Sequence, residues 1–238
     1  MLSLWNTFFY EPLYNALIAL AGVMPGGSVG LAIIILTILV KLLLFPLSHS
    51  GLKTQKKMKE LEPTLATIRE KHKDRETQAR KTMELYQEHK VNPFGGCLTL
   101  LIQIPIIFAL YWVFFKGIGM NSDILYSFVS FPEVFNTDFF GINLGKGSVI
   151  LAVLAGLSQF VQAHFAMPKP APVSGERTFK DELARSMNIQ MRYFLPVLIA
   201  VISIKIPSAV ALYWVTSNIF SVGQELFVRR GPLPSNNG

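Results

Sequence analysis

Apolar residues are grouped in five long runs along this chain, with polar segments between the first four. A bilayer core of about 30 Å requires roughly 20 apolar helical residues, so runs of this length predict membrane-spanning helices. The last two runs are contiguous, and Lys205 and Pro207 near their junction predict a tight turn between two spans. The pattern predicts an all-α integral membrane protein with a five-helix transmembrane core, at residues 29–48, 95–115, 148–167, 188–206 and 207–228.

Residues 1–28 contain no Lys or Arg, so they lack the basic start of a signal peptide. Their apolar side chains recur at helical spacing, which favours a helix that lies in the outer membrane–water interface. A sixth membrane span is the alternative. The face predicted to be apolar holds Leu4, Phe8, Leu13, Leu17 and Leu20, and the opposite face holds Asn6, Tyr10, Glu11 and Asn15.

The segment 49–94 is strongly charged and is predicted to form a helical hairpin kinked at Pro63. Its apolar seam is predicted from Met58, Leu61, Leu65 and Ile68 of the first helix and Ala79, Met83 and Tyr86 of the second. One interpretation is a solvated hairpin held by this seam and by anionic headgroups. The other is a docking surface for a partner protein, with candidate contacts at Lys56, Lys57, Lys59 and Arg69.

The net charge of +7 follows the predicted topology. When the loops are assigned alternately to the two sides, 17 Lys and Arg residues fall on the side of the hairpin and three on the other. The positive-inside rule then places the hairpin, the loop 168–187 and the tail 229–238 in the cytoplasm, and the loop 116–147 outside. The amino terminus is predicted outside and the carboxyl terminus inside, and no specific nucleic acid is needed to explain the charge.

Cofactor chemistry and covalent catalysis have little support in this sequence. The single cysteine, Cys97, excludes a disulfide framework and multi-cysteine metal sites. The four histidines have no metal-binding spacing, and no G-x-S-x-G motif occurs. We therefore expect no cofactor, no metal and no enzymatic activity.

Polar residues inside the predicted spans are the candidates for a functional site. Lys41 is the most costly, since a cation near the bilayer centre costs about 2.5–3.5 kcal/mol even on insertion scales. Its stem could extend to the cytoplasmic surface, or its charge could serve a function. Together with Thr37, Gln103 and a stripe on the last span, it favours a water-filled cavity over isolated hydrogen bonds between helices. The stripe consists of Tyr213, Ser217, Ser221 and Gln224.

Three motifs resemble those of one known family. The chain is similar to the YidC family of membrane protein insertases, which has mitochondrial and chloroplast relatives. The resemblance covers nearly the whole chain, in a short form without a large outer domain. The motifs are Lys-Leu-Leu-Leu-Phe-Pro-Leu at 41–47, Val-Asn-Pro-Phe-Gly-Gly-Cys at 91–97 followed by Leu-Leu-Ile-Gln-Ile-Pro-Ile at 100–106, and Pro-Ser-Ala-Val-Ala-Leu-Tyr-Trp-Val-Thr-Ser-Asn at 207–218.

This resemblance implies an insertase and chaperone of a bacterial plasma membrane, with a hydrophilic groove open to the cytoplasm and closed toward the outside. Lys41 matches the basic groove residue, for which the family normally has arginine; lysine keeps the charge but not the planar fork. Thr37 and Trp214 match positions that face the substrate, and Gln103, Tyr213 and Ser217 are further groove candidates. The implied partners are nascent membrane proteins and lipids, with the ribosome and the Sec translocon as further candidates.

A small ion or solute transporter or channel that uses Lys41 as its site is the alternative function. The chain shows no internal repeat of the kind found in many secondary transporters, which argues against this alternative.

Overall fold

The computed structural model describes residues 2–72, 74–89, 91, 95–116, 122–166 and 186–230. The chain is mainly helical in these ranges. We number the helices α1 (2–23), α2 (Val29–Leu43), α3 (Phe45–Glu60), α4 (Glu62–Lys71), α5 (Arg75–Glu88), α6 (Gly95–Phe115), α7 (Val149–Ala166), α8 (Ser186–Ser203) and α9 (Ser208–Arg230). A two-stranded antiparallel hairpin, β1 (Asp138–Phe139) and β2 (Ile142–Asn143), precedes α7.

The apolar core lies among α1, α2, α6, α7, α8 and α9, with Leu144 buried in it from the loop 116–147, which we call the outer loop after its predicted side. α9 packs mainly against α7 and α2, and α8 packs against α7. Two helices of the described part, α7 and α8, are long and apolar enough to cross a membrane, and α2 with α3 forms a third, bent candidate. The number of spans and their sides remain predictions.

The first predicted span, 29–48, is broken in the structure. α2 ends at Leu43, and α3 starts at Phe45 in a direction that differs by 62°. Pro46 explains the break, because its ring nitrogen has no hydrogen to donate to the helical ladder and its ring crowds the preceding turn. The polar hairpin therefore begins inside α3, which continues from this bend without a loop.

The burial of α1 differs from the predicted faces. Leu13 and Leu17 are buried as expected, but Leu4 and Phe8 are 62% and 68% exposed, whereas Tyr10 and Asn15 are buried. A π turn at Asn6–Tyr10 explains the exposure of Leu4 and Phe8, because its extra residue rotates the first turns relative to the rest. Asn15 lies beyond this turn and is buried where its side chain bonds to Ile124 O and Tyr126 N. The assignment of Tyr10 and Asn15 to a solvated face was wrong.

The seam of the charged hairpin is mostly as predicted. Leu61 and Leu65 are buried against Leu85 and Val91, with Met58, Ile68 and Tyr86 packed around them. Ala79 and Met83 are exposed, so their assignment to the seam was wrong. α5 instead packs on the first helix with the face next to the predicted one, on which Leu85 is buried. The first helix is interrupted at Leu61, two residues before Pro63, where the sequence predicts a kink.

The outer loop caps the ends of two helices. Asn136 accepts a hydrogen bond from Val29 N, the first residue of α2, at 2.9 Å. Ser208 N and Ala209 N, at the start of α9, donate to Lys146 O and Leu144 O at 2.8 and 3.0 Å. Since the first amides of a helix have no acceptor inside it, these bonds satisfy donors that would be costly to leave bare. The loop thereby ties α2 and α9 together at one end.

Close packing of α7 on α8 depends on Gly156, which predicts a stability effect. A Cβ atom at Gly156 would lie 2.8 Å from Ala200 Cβ and 3.0 Å from Pro196 O. We expect Gly156→Ala to lower the free energy of unfolding by about 1–3 kcal/mol through overpacking. Thermal unfolding in detergent measures this change.

The matched control is Gly223→Ala on α9, where an added Cβ atom meets nothing within 4 Å. Alanine there should leave stability unchanged or raise it by up to about 1 kcal/mol, because it favours the helix. Equal effects of the two substitutions would contradict the packing argument.

Candidate functional site

Lys41 lies between three helices and is held by two neutral side chains. Its Nζ atom donates to Gln103 Oε1 of α6 at 3.3 Å and to Ser221 Oγ of α9 at 3.2 Å. All three side chains are half-buried. Neither acceptor is ionised, so these bonds solvate the ammonium group without neutralising its charge.

The position of Lys41 on α2 follows from the helical repeat. Ile33 and Thr37 are buried on the face of α2 that meets the core, and Lys41 lies one turn further along. The Thr37 hydroxyl donates to Ile33 O at 2.6 Å, so its hydrogen-bonding need is met inside its own helix. Thr37 therefore lies one turn from Lys41 and makes no hydrogen bond to it among the described residues.

The stripe predicted on α9 faces the same region. Ser221 donates its hydroxyl hydrogen to Ser217 O at 2.8 Å, which leaves its oxygen lone pairs free to accept from Lys41. One turn further, Gln224 Nε2 donates to Ser48 Oγ of α3 at 2.7 Å. A line of polar contacts therefore runs from Lys41 toward the bend at Leu44 and the charged hairpin.

Ser48, Ser221 and Gln224 were not among the groove residues predicted with the family resemblance. The helical spacing of the α9 stripe already indicated Gln224 and Ser221. No signal indicated Ser48, because it lies beyond the bend, and only the change of direction at Leu44 brings it to α9.

Tyr213, Trp214 and Ser217 lie on the α9 turns before Ser221. Tyr213 is buried in the core cluster, Trp214 is partly buried against it, and Ser217 is buried. None of them bonds to the Lys41 ammonium within the described part of the chain. Of the predicted groove residues, Gln103 therefore contacts Lys41 directly. Tyr213, Trp214 and Ser217 lie on earlier turns of α9 and do not bond to it.

A second polar contact lies on another face of α9. Asn218 Nδ2 donates to Ser158 Oγ at 3.1 Å and to Gln159 Oε1 at 3.2 Å, both on α7. Gln159 Nε2 in turn donates to Gln162 Oε1 at 3.3 Å. These bonds satisfy polar groups at a helix–helix contact, which is the usual role of such residues in membrane bundles.

The candidate docking residues are only partly described. Lys56 and Lys57 are half-buried on α3, whereas the side chains of Lys59 and Arg69 lie outside the described ones. Asn92–Phe94 of the second motif lie outside the described residues as well. Within the described ranges, no three His, Cys, Asp or Glu side chains are grouped so that they could hold a metal ion.

Comparison with known proteins decides the family. A family model described as 60Kd inner membrane protein matches residues 20–235. The chain belongs to the 60Kd inner membrane protein family. The resemblance predicted from the three motifs is confirmed, since curated relatives of this 60Kd family chain are named membrane protein insertase YidC.

Two relatives match this 60Kd family chain over most of their own length. The protein from Oceanobacillus iheyensis is 37% identical over 233 residues, which cover 96% of the chain and 84% of the relative. The protein from Fusobacterium nucleatum is 37% identical over 209 residues, covering 86% of the chain and 87% of the relative. The protein from Pelobacter propionicus is longer: it is 36% identical over 86% of the chain, which is 35% of the relative.

A solved structure also matches the fold of this 60Kd family member. It is titled "Active YidC insertase crystal structure with the first transmembrane domain resolved", and its TM-score is 0.58 at 23% sequence identity. The match covers 96% of this chain and 47% of that one. At this identity the likeness concerns the fold, which it supports as a mainly helical membrane bundle.

The bond between Lys41 and Gln103 predicts energetic coupling. Gln103→Leu should lower the free energy of unfolding by about 1–3 kcal/mol, because the ammonium loses an acceptor. In a Lys41→Leu background the same change should cost less than about 0.5 kcal/mol, since no cation remains to be solvated. A double-mutant cycle of thermal unfolding in detergent measures the difference.

Gln162→Leu is the control, because Gln162 contacts Gln159 on its own helix and shares no described partner with Lys41. Its cost should be the same in both backgrounds. Additive behaviour of Gln103 and Lys41 would show that their contact carries no energy.

Proposed function

We propose that this protein is a membrane protein insertase of the bacterial inner membrane. It moves a short polar segment of a substrate partly across the bilayer and releases the adjoining apolar helix into lipid. The observation that carries this proposal is the solvation of Lys41 by Gln103 and Ser221, since neutral acceptors leave its positive charge available to an acidic or polar segment.

The position of the polar contacts around Lys41 supports insertion from the side of the charged helical hairpin. Lys41 lies twelve residues after Val29, a rise of about 18 Å at 1.5 Å per residue. The outer part of the bundle is filled by buried side chains such as Leu17, Ile33 and Val113, and the outer loop caps α2 and α9. The polar contacts of Lys41 and Gln224 therefore lie in the half of the bundle nearer the charged hairpin, and the core of the other half is mostly apolar.

Such an arrangement lowers the barrier for a polar segment by physical means. Each polar group left without a partner in hydrocarbon costs several kcal/mol, and a polar site inside the bilayer shortens the path over which this cost applies. Transfer of about 20 apolar residues of the substrate into lipid then drives release. No ATP, cofactor or covalent step is part of this mechanism.

Two helices offer an apolar path into lipid. α6 exposes Ile104 and Phe108, and α8 exposes Val197 and Val201. We propose that the substrate helix slides along these faces as it leaves the site. The charged hairpin, including Lys56 and Lys57, is the proposed contact for the ribosome or the Sec translocon.

The Lys41 charge is tested by insertion of reporter proteins into liposomes, scored by protease protection. For substrates whose outer segment carries Asp or Glu, Lys41→Leu should lower the rate about tenfold, since two unit charges 4 Å apart attract by about 1–4 kcal/mol in a wet protein site. Lys41→Arg should keep the rate, and Lys41→Glu should lower it further. Substrates with neutral outer segments should respond much less.

The control for the Lys41 series is Lys205→Leu, which removes an exposed positive charge at the α8–α9 turn. It should leave all rates unchanged. Insertion of acidic substrates at the native rate by Lys41→Leu would show that Lys41 only extends to the membrane surface. Solute flux through the same liposomes without insertion would favour the transporter instead.

The proposed topology is tested by cysteine labelling in a Cys97→Ser background. A cysteine at Thr77, in the hairpin, should react with an impermeant reagent only from the cytoplasmic side. A cysteine at Thr137, in the outer loop, should react only from outside, because the basic residues are concentrated on the hairpin side. Reversed labelling would overturn the proposed orientation.

A further inference from the structure

The tip of the outer β-hairpin carries a residue that folding alone does not explain. Phe140 and Gly141 join β1 to β2, with φ angles of 51° and 78°. Turns with positive φ at both central residues favour Asn, Asp and Gly, and a bulky aromatic residue is strained there. Phe140 is also 90% exposed: its ring meets that of the neighbouring Phe139 edge to face at 4.7 Å between centroids, and most of its surface is left uncovered.

The hairpin lies beside the first turn of α2. The ring of Phe139 fills the space next to Gly30, where any Cβ atom would collide with it. Asn136, just before the hairpin, is bonded through its backbone to Gly27 and Val29. Phe139 contacts α2, and Phe140 is the next residue, in the turn, so its exposed ring lies at the level where α2 begins.

We propose that Phe140 inserts into the outer leaflet of the surrounding bilayer and anchors the hairpin there. The first two turns of α2 are wholly apolar, from Val29 to Leu36, so the adjoining tip lies at the edge of the hydrocarbon. Phenylalanine, like tryptophan and leucine, is typical of the apolar side of segments that lie in the membrane interface. A lipid surface is thus the partner that fits both the exposure and the position of the ring.

The charges of the outer loop indicate that the contact is apolar. Residues 116–147 hold three acidic side chains, Asp123, Glu133 and Asp138, and two basic side chains, Lys116 and Lys146. Anionic headgroups therefore repel the loop more than they attract it, and zwitterionic lipid is a sufficient partner.

An anchored tip also fixes the depth of the candidate site. The hairpin segment is hydrogen-bonded to the start of α2 through Asn136, and to the start of α9 through Leu144 and Lys146. A tip held at one depth therefore holds both helices, and with them Lys41 and Ser221, at a constant distance from the outer surface.

Spin labels measure the depth of the tip directly. Labels are attached to Phe140→Cys and, as the matched control, to Asp138→Cys, an exposed position in the same hairpin. Both variants carry Cys97→Ser and are reconstituted in phosphatidylcholine liposomes. The label at 140 should lie about 5–10 Å below the headgroups, with high access to oxygen and low access to a water-soluble nickel chelate.

The label at 138 should show the opposite accessibility. Equal nickel access at both positions would overturn the proposal and leave the aromatic tip exposed to water, where a protein partner could cover it.

A second measurement keeps the ring in place. Phe140→Trp and Asp138→Trp are compared, after subtraction of the emission of the native chain, in liposomes whose lipids carry bromine on the acyl chains. Quenching of the added tryptophan should be several-fold stronger at 140 than at 138, with or without phosphatidylglycerol. Equal quenching, or quenching at 140 that requires phosphatidylglycerol, would overturn the apolar anchor.

Discussion

The need to solvate one ammonium group inside an apolar bundle constrains much of this structure. Lys41 cannot lie between helices unless oxygen atoms from neighbouring helices surround it, because an isolated buried cation is prohibitively costly. Gln103 and Ser221 supply those atoms from α6 and α9. Neither is acidic, so the contact stabilises the position of the charge and leaves its field intact. A salt bridge at this point would have removed the feature on which the proposed function rests.

A second constraint concerns the ends of the helices, whose first amides need acceptors where water is scarce. The outer loop meets this need for α2 and α9, and Asn15 of α1 joins the same loop through Ile124 O and Tyr126 N. One continuous segment therefore ties three helices together on one side. The polar contacts of Lys41, Gln224 and Ser48 lie further along the bundle, so the division into a closed half and a polar half has a structural cause.

Surface composition and internal packing serve different purposes in this bundle. α6 and α8 keep large apolar side chains exposed, which suits contact with lipid or with an apolar helix in transit. α7 instead uses small residues such as Gly156 toward α8, which lets the two backbones approach closely. α7 also exposes large apolar side chains, such as Ile150 and Leu157, so the small residues toward α8 are the feature that distinguishes its packing.

The sequence by itself determined the class of the protein, the family, the charged hairpin and the pairing of Lys41 with a polar helix face. These features depend on composition and on the spacing of residues within one helix, which a linear pattern records directly. The shared face of Thr37 and Lys41 and the stripe on α9 were predicted from the helical repeat alone. The motifs around Lys41, Gln103 and Tyr213 indicated the family.

Tertiary structure decided the features that depend on changes of helix phase or direction. The π turn in α1 exposed Leu4 and Phe8 against the prediction, because one extra residue in a turn rotates everything before it, and contacts with Ile124 and Tyr126 buried Asn15. The 62° bend after Leu43 brought Ser48 to Gln224, although 176 residues separate them in the chain. The choice of Leu85 over Met83 for the hairpin seam likewise depended on how two helices meet. Such contacts arise from the relative placement of elements, which the periodicity within each element does not encode.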